Sequence, residues 1–408
     1  MMMLQIKRSA RFFLLLAAFI LASSGTASGT GKNNRGFKIT SKIAEHVWFW
    51  EIVFTRYPST STIIHDVDFP QLIIDIIDFE ELSRKYNNGK KFSFRHKNAI
   101  IQKYLRRYDL AMSRFQRDGR SATNYGPMEQ RIYDVYKKND LAMAHMLSGK
   151  SSLRFQDGLA NEFRRASERA RNYLPYMEKI FEDVGVPKEL TRIAFVESMF
   201  NSKAQSKVGA SGIWQFMPGT ARNYLVVNKY LDERNSPLKA TRAAAKLLKS
   251  NYETLGSWPL AITAYNHGAG GLAKAVKKLG STDLETIIYR YKSNSFGFAS
   301  KNFYSEFVAA RNVYNRLYAD PGRREKNPLS IAKLKILRPI TISSLTRKTP
   351  LNPDILGEYN HCISPRVFSS VRTHFLPSNY EIIFPERMAD EVKFSLSRLN
   401  VPNKIERF

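Results

Sequence analysis

From Leu153 to Asp183 the chain is dominated by Arg, Glu, Ala, Leu and Met, with Pro175 its one proline and few β-branched residues. A stretch of that composition has little choice but to be helical. Gly185 then reads as a helix stop, and Val186-Pro187 as a restart with proline in the first turn. In the next helix, Leu190, Ile193, Ala194 and Glu197 recur at i, i+3, i+4 and i+7 and so share one face. The middle of the chain is therefore expected to be mainly α, with a carboxylate set on an apolar stripe. Glutamate is rarely buried unless something pairs with it or uses it. Desolvation would raise its pKa and make it a proton donor near neutrality. Taken singly, such a residue is more often a glutamate at the edge of the stripe with its head in water.

The residues C-terminal to Glu197 change that balance. The loop Ser206-Lys207-Val208-Gly209-Ala210-Ser211-Gly212 offers two glycines where backbone can approach a ligand closely. It runs into Ile213-Trp214-Gln215-Phe216-Met217-Pro218, which gathers an aromatic, an amide and a thioether. Some fifty residues on, a helix expected to begin at Trp258-Pro259 leads to Ala264-Tyr265-Asn266-His267-Gly268. Gly268, Gly270 and Gly271 break the chain between two helices, and no strand precedes them, so they are not a phosphate-cradling loop. Each piece alone has a plain structural reading: Trp214 as core, Gln215 as a surface amide, Asn266 as a turn former at a helix end.

Size and charge narrow the setting. The chain has 408 residues, 43% of them hydrophobic and 12% aromatic, enough for a sizeable core and two or three domains. Sixty-four basic residues against 36 acidic ones leave +28, which points to a polyanionic partner: nucleic acid, anionic membrane or bacterial wall. Lys7, Arg8 and Arg11 precede the apolar run Phe12 to Ala22, and Ser23-Ser24-Gly25-Thr26-Ala27 supplies small residues for cleavage after Ala27. Eleven apolar residues are short of the roughly 20 that span a bilayer. Residues 1–27 thus read as a secretory signal, and their removal takes +28 to +25. Export argues against a nucleic-acid role and places the mature chain in the periplasm or beyond it. Cys362, the only cysteine, is too far from the signal to carry a lipid and has no partner for an intramolecular disulfide.

Together, Glu197-Ser198, Gly209-Ala-Ser-Gly-Ile-Trp-Gln-Phe-Met-Pro218 and Ala264-Tyr-Asn-His-Gly268 closely resemble the motifs of the Slt-type lytic transglycosylase family, which shares its fold with goose-type lysozymes. Phe296-Gly-Phe-Ala-Ser-Lys-Asn-Phe-Tyr304 is similar to the stretch bearing that family's active-site tyrosine. Within the family, the membrane-bound lytic murein transglycosylase D group is the nearest match. The resemblance is specific over roughly residues 150–320. It implies a lysozyme-like catalytic domain that cleaves the β-1,4 bond between N-acetylmuramic acid and N-acetylglucosamine without using water, leaving a 1,6-anhydro end. One carboxyl group would act first as acid and then as base, where ordinary glycosidases use two. Glu197 takes that role. Tyr304 is expected to hydrogen-bond and orient it. Gln215 and Asn266 are expected to meet the N-acetyl and hydroxyl groups of the sugars, and Tyr265 and Met217 to wall the cleft. Gly212 would allow close approach, and Ser198 would either hold substrate or bond the helix backbone. Trp214 is read as core and His267 as a turn residue. Asp232 and Glu233, the nearest candidates for a second carboxylate, are read as solvated positions before a helix capped by Ser236 and opened by Pro237. Peptidoglycan is the implied partner, with contact to an anionic wall or outer-membrane surface. Neither a metal nor a cofactor is indicated. A hydrolase on the same fold and a non-catalytic wall-binding protein are the competing readings.

The flanks are less telling. Residues 28–150 read as a mostly helical region with apolar clusters at Val47-Trp-Phe-Trp50 and Leu72-Ile-Ile-Asp-Ile-Ile77, the second compatible with a strand. Residues 151–325 form the expected catalytic domain. Residues 335–408 change character into a small α+β module: Ile342 to Leu345, Leu351 to Leu356 and Tyr359-Asn360 are similar to a degenerate LysM glycan-binding unit, with Ile382-Ile383-Phe384 as its closing strand. A small helical cap with a polar tail is the alternative there.

Overall fold

The computed structural model describes residues 36–118, 125–318, 328–369 and 374–408. The secretory signal read in residues 1–27 lies outside them. Residues 39–408 make one compact unit.

Helix α1 (Ser41–Thr55) starts at Thr40, whose hydroxyl accepts a hydrogen bond from the Ile43 amide. A three-stranded antiparallel sheet comes next, built from β1 (Ser61–Asp66), β2 (Ile73–Asp78) and β3 (Leu153–Asp157) in the order β2-β1-β3. The Ile73–Ile77 run is thus strand, as its β-branched density favours. Leu153–Asp157 is also strand, which corrects the helix expected from Leu153 onward. Pairing with β1 supplies hydrogen bonds across some ninety residues of sequence that local propensity cannot register. Between β2 and β3 lie α2 (Phe79–Tyr86), α3 (Phe94–Asp118), α4 (Pro127–Tyr136) and α5 (Asp140–Leu147), which cover the sheet with Ile101, Phe115, Ile132 and Met146. Buried Asp66 ties sheet to helices: it accepts from the Asp68 and Phe69 amides at 2.8 and 2.9 Å and from the Tyr136 hydroxyl at 2.6 Å.

The central body is helical. It comprises α6 (Ala160–Arg171), α7 (Leu174–Val184), a 3-10 turn (Lys188–Arg192) leading directly into α8 (Ile193–Ser198), and α9 (Pro218–Ala221). After a second 3-10 turn (Glu233–Asn235) come α10 (Pro237–Leu255), α11 (Trp258–His267), α12 (Ala269–Leu279), α13 (Leu284–Arg290) and α14 (Phe298–Leu317). Gly185 ends α7 in the left-handed conformation at φ +78°, and α11 does begin at Trp258-Pro259. Of the three nearby glycines only Gly268 breaks the chain, at φ +92°, because Gly270 and Gly271 lie inside α12. Ser236 occupies the N-cap of α10, but its side chain makes no capping bond.

α14 is the axis of this body. It packs against α1, α8 and α11, so the N-terminal helix is built onto the same helix that faces the candidate site. Trp50 Nε1 donates to Asn302 Oδ1 at 3.3 Å, Asn312 Nδ2 donates to Glu51 at 3.0 Å, and Lys301 pairs with Asp68 at 3.0 Å. His65 is buried between Phe49 and Phe298.

The C-terminal module contains β4 (Ile331–Ile336), β5 (Ile340–Thr341), α15 (Ile342–Lys348), α16 (Pro353–Tyr359), α17 (Pro365–Ser369), β6 (Phe375–Leu376), β7 (Tyr380–Pro385), α18 (Ala389–Arg398) and β8 (Asn403–Arg407). Its main sheet is antiparallel in the order β7-β4-β8, with α15 and α16 between the paired strands β4 and β7. Ile382–Phe384 lies in a strand of this sheet. Asn360 locks it to the helices, donating to the Ile383 carbonyl at 2.8 Å and accepting from its amide at 2.9 Å. No helix among the described residues is long and apolar enough to cross a membrane.

Candidate active site

Glu197 stands at the end of α8, where the helix stops abruptly. Met199 and Phe200 take positive φ of 50° and 56°, and the Arg169 guanidinium binds the Met199 carbonyl at 2.6 and 3.1 Å. Two successive non-glycine residues in the left-handed region are strained, and such strain persists only where the surroundings hold it. Ser198 fastens the same turn, donating to the Ile213 carbonyl at 2.8 Å. Its hydroxyl thus serves the backbone.

The Gly209–Pro218 loop wraps around an ion pair. Asp232 holds the Arg234 guanidinium at 2.8 and 2.7 Å, and Arg234 in turn donates to the carbonyls of Gly209 and Phe216 at 2.7 and 3.1 Å. Glu233 is buried, accepting from the Val226 amide at 2.8 Å and pairing with Lys239 at 2.6 Å. These two acids are not the solvated pair expected from sequence; salt bridges to Arg234 and Lys239 bring them into the fold. Gly212 is corrected as well. The close approach it permits is to protein, since a Cβ there would lie 1.9 Å from the Arg234 carbonyl oxygen. Gln215, at φ +47°, donates its amide to the Gly212 and Ala204 carbonyls at 2.8 and 3.2 Å. Met217 is exposed beside it. Trp214 is fully buried, donating to Thr241 at 2.9 Å and stacking on Phe181.

Tyr265 crosses from α11 to this loop, its hydroxyl donating to the Trp214 carbonyl at 2.9 Å. Asn266 is exposed and accepts from Ser300 at 2.9 Å, and His267 meets the same hydroxyl at 3.4 Å. Ser300 begins one face of α14. Phe303, three residues on, lays its ring parallel to Tyr265 with centroids 6.4 Å apart, and Glu306 lies three residues further along the helix. Burial and the neighbouring Glu306 charge push the Glu197 carboxyl up to about 8. Burial likewise raises Glu306 to about 8, opposed by the Arg154 guanidinium of β3. Neither carboxyl accepts a hydrogen bond from a described residue. Both are half-buried, so a proton on either is retained by desolvation and not by pairing.

Tyr304 lies two residues before Glu306 on α14. At about 100° per residue it stands about 160° around α14 from Glu306. It is fully buried, and the charge beside its hydroxyl is the Arg311 guanidinium. The tyrosine that senses Glu197 is Tyr265, whose hydroxyl is pushed up by burial and by that carboxylate. Sequence reading missed Glu306, Arg154 and Arg169. Glu306 lies two residues past the end of the fourth motif, so no motif pointed to it.

The family model described as "Transglycosylase SLT domain" matches residues 179–288. Residues 179–288 are therefore similar to an SLT domain. Glu197, the Gly209–Pro218 loop and Tyr265 fall within it, whereas Arg154, Phe303 and Glu306 are brought to it from the flanks. Beyond the domain, the chain is 36% identical over 233 residues to membrane-bound lytic murein transglycosylase D of Escherichia coli K12, covering 56% of this chain and 50% of that protein. It is 33% identical over 121 residues to membrane-bound lytic murein transglycosylase C of Haemophilus ducreyi, covering 26% and 33%. The chain thus spans about half the length, or less, of these relatives. Among solved structures it is similar to the 70 kDa soluble lytic transglycosylase Slt70 of E. coli, at 18% identity and a TM-score of 0.31, covering 55% of this chain and 44% of that one.

Proposed function

We propose that this chain is a peptidoglycan lytic transglycosylase acting in the periplasm. Glu197 would protonate the glycosidic oxygen between N-acetylmuramic acid and N-acetylglucosamine. It would then take the proton of the muramyl C6 hydroxyl as the 1,6-anhydro ring closes. The observation that carries the reading is the Glu197 carboxyl itself: on an SLT domain, raised to about 8, and without a hydrogen-bond donor from the described residues. A carboxyl group with that pKa is still mostly protonated at neutral pH, as an acid requires, and becomes a competent base once its proton has gone to the leaving oxygen. Tyr265 and Phe303 would form the apolar wall that keeps water from the carboxyl, while Asn266 and Met217 remain exposed for sugar contact. The net charge of +28 suits a substrate bearing peptide carboxylates.

One observation favours a second reading. Glu306 supplies another carboxylate near Glu197, and hydrolytic glycosidases work with two. Digestion of purified wall sacculi, with mass analysis of the released muropeptides, separates the two. Anhydro products, lighter by one water than the hydrolytic ones, are expected. Reducing-end products alone would assign the chain to the hydrolases.

A further inference from the structure

We propose that the cavity between α7, α10 and the C-terminal sheet is a second substrate site, which holds a carboxylate-bearing peptide of the wall away from Glu197. The inference rests on the proposed lytic transglycosylase reading and deepens it. The cavity measures about 580 Å³, within the range of pockets that take small ligands. One wall is a face of the β7-β4-β8 sheet. Lys333, Glu381, Ile383 and Glu406 line it, and they alternate along their strands with Leu334, Ile382 and Ile405, which turn to the module's own core. The other wall comes from the helices, and its apolar part is Ile180 of α7 and Leu238 of α10, against which Ile383 packs. Glu197, Gln215, Met217, Tyr265 and Asn266 do not line this cavity, so it is separate from the candidate active site.

Charge decides what the cavity can take. Each of its four acids already has a cation. Asp183 holds Lys179 at 2.6 Å, Glu233 holds Lys239 at 2.6 Å, and Glu381 and Glu406 hold Lys333 at 3.3 and 2.7 Å. Arg242 and Lys246 line the same cavity, both exposed, and neither pairs with a described residue. Four residues apart on α10, they present their charges side by side on one face. Two surplus cations on a cavity whose acids are satisfied attract an anion from outside the chain. Deeper in, the hydroxyls of Tyr224 and Ser236 bond to no described residue, although Ser236 is only 6% exposed. A buried hydroxyl without a partner is a free donor and acceptor for a ligand amide. An acidic peptide satisfies the whole set: carboxylates on Arg242 and Lys246, amides on the two hydroxyls, alkyl groups against Ile180 and Leu238. An uncharged N-acetylglucosamine oligomer offers the cations nothing. Such a site would hold the wall at a second point and so strengthen binding without touching the chemical step.

The test compares the full chain with two doubly substituted proteins of equal net charge. One carries Arg242→Glu with Lys246→Glu; the control carries Lys90→Glu with Lys91→Glu, exposed positions remote in sequence from α7, α10 and the sheet. The apparent KM for purified sacculi should rise about fivefold in the first, with kcat held, and change less than twofold in the control. On sacculi whose carboxylates have been amidated, the native chain and the first variant should have the same KM. An unchanged KM in the first variant overturns the site, as does an equal rise in both proteins. A difference that persists on amidated sacculi also overturns it, because the cations would then not be reading carboxylates. Should the charge reversal fail to fold, Arg242→Gln with Lys246→Gln should move KM in the same direction by a smaller factor. Co-sedimentation with sacculi in the Glu197→Gln background reads the site without turnover. Native protein that binds sacculi but releases no anhydro products would therefore sink the functional reading, and the cavity would be judged separately by its binding.

Discussion

Glu197→Gln is expected to fold, to bind peptidoglycan as the native chain does, and to lose turnover by about 10³-fold or more, the scale of a removed general acid–base. Glutamine matches the carboxyl in shape but has no proton to give at any working pH. Its neighbours, Tyr265 and Ser198, are anchored to the Trp214 and Ile213 carbonyls, so nothing in the local framework depends on the lost group. The same substitution should change how stability varies with pH. Folded Glu197 holds its proton to about 8, whereas the unfolded group releases it near 4.5. Between those values the folded chain binds more protons, so this group's contribution to stability falls as pH rises through the window. Glutamine removes that fall. The variant should therefore melt above the native protein at pH 8 and level with it at pH 4. Sacculus turnover and paired melting curves at the two pH values check both parts, and turnover close to native would refute the role of Glu197.

Gly212→Ala is expected to cost the fold roughly 3 kcal/mol or more, among the larger losses a single methyl group can cause. Two effects combine. Gly212 lies at φ +78°, a region that alanine enters at a cost, and its Cβ would sit 1.9 Å from the Arg234 carbonyl, which is backbone and cannot turn aside. Arg234 also carries the hydrogen bonds to Gly209 and Phe216, so displacing it loosens the loop beside Glu197. Gly209→Ala is the control. Its φ of +92° is equally left-handed, but no atom lies within 4 Å of the Cβ position, so it should lose only about 1 kcal/mol. Urea unfolding midpoints of the two variants should differ in that order; equal midpoints would show that the Arg234 contact is not tight.

Much of the site was legible in sequence because its signals are local. A carboxylate in phase with Leu190, Ile193 and Ala194, the Gly185 stop and the Trp258-Pro259 start all depend on neighbours a few residues away. The features that escaped depend on distant pairing or on phase. Leu153–Asp157 becomes strand through β1, a partner that no helix propensity reports. Tyr304 and Glu306 sit two residues apart on α14, yet the helix turns them to nearly opposite sides, and only packing on α8 and α11 decides which side meets Glu197. Asp232 and Glu233 read as solvated because their partners, Arg234 and Lys239, become partners only once the loop is folded.

The most direct test of the central claim is a carboxyl titration of Glu197, monitored by carbon-detected NMR on selectively labelled protein and assigned by the loss of one signal in Glu197→Gln. A midpoint near 8 is the expected result. A midpoint near 4.5 would mean that the group is an ordinary anion at neutral pH, with no proton to deliver to a glycosidic oxygen.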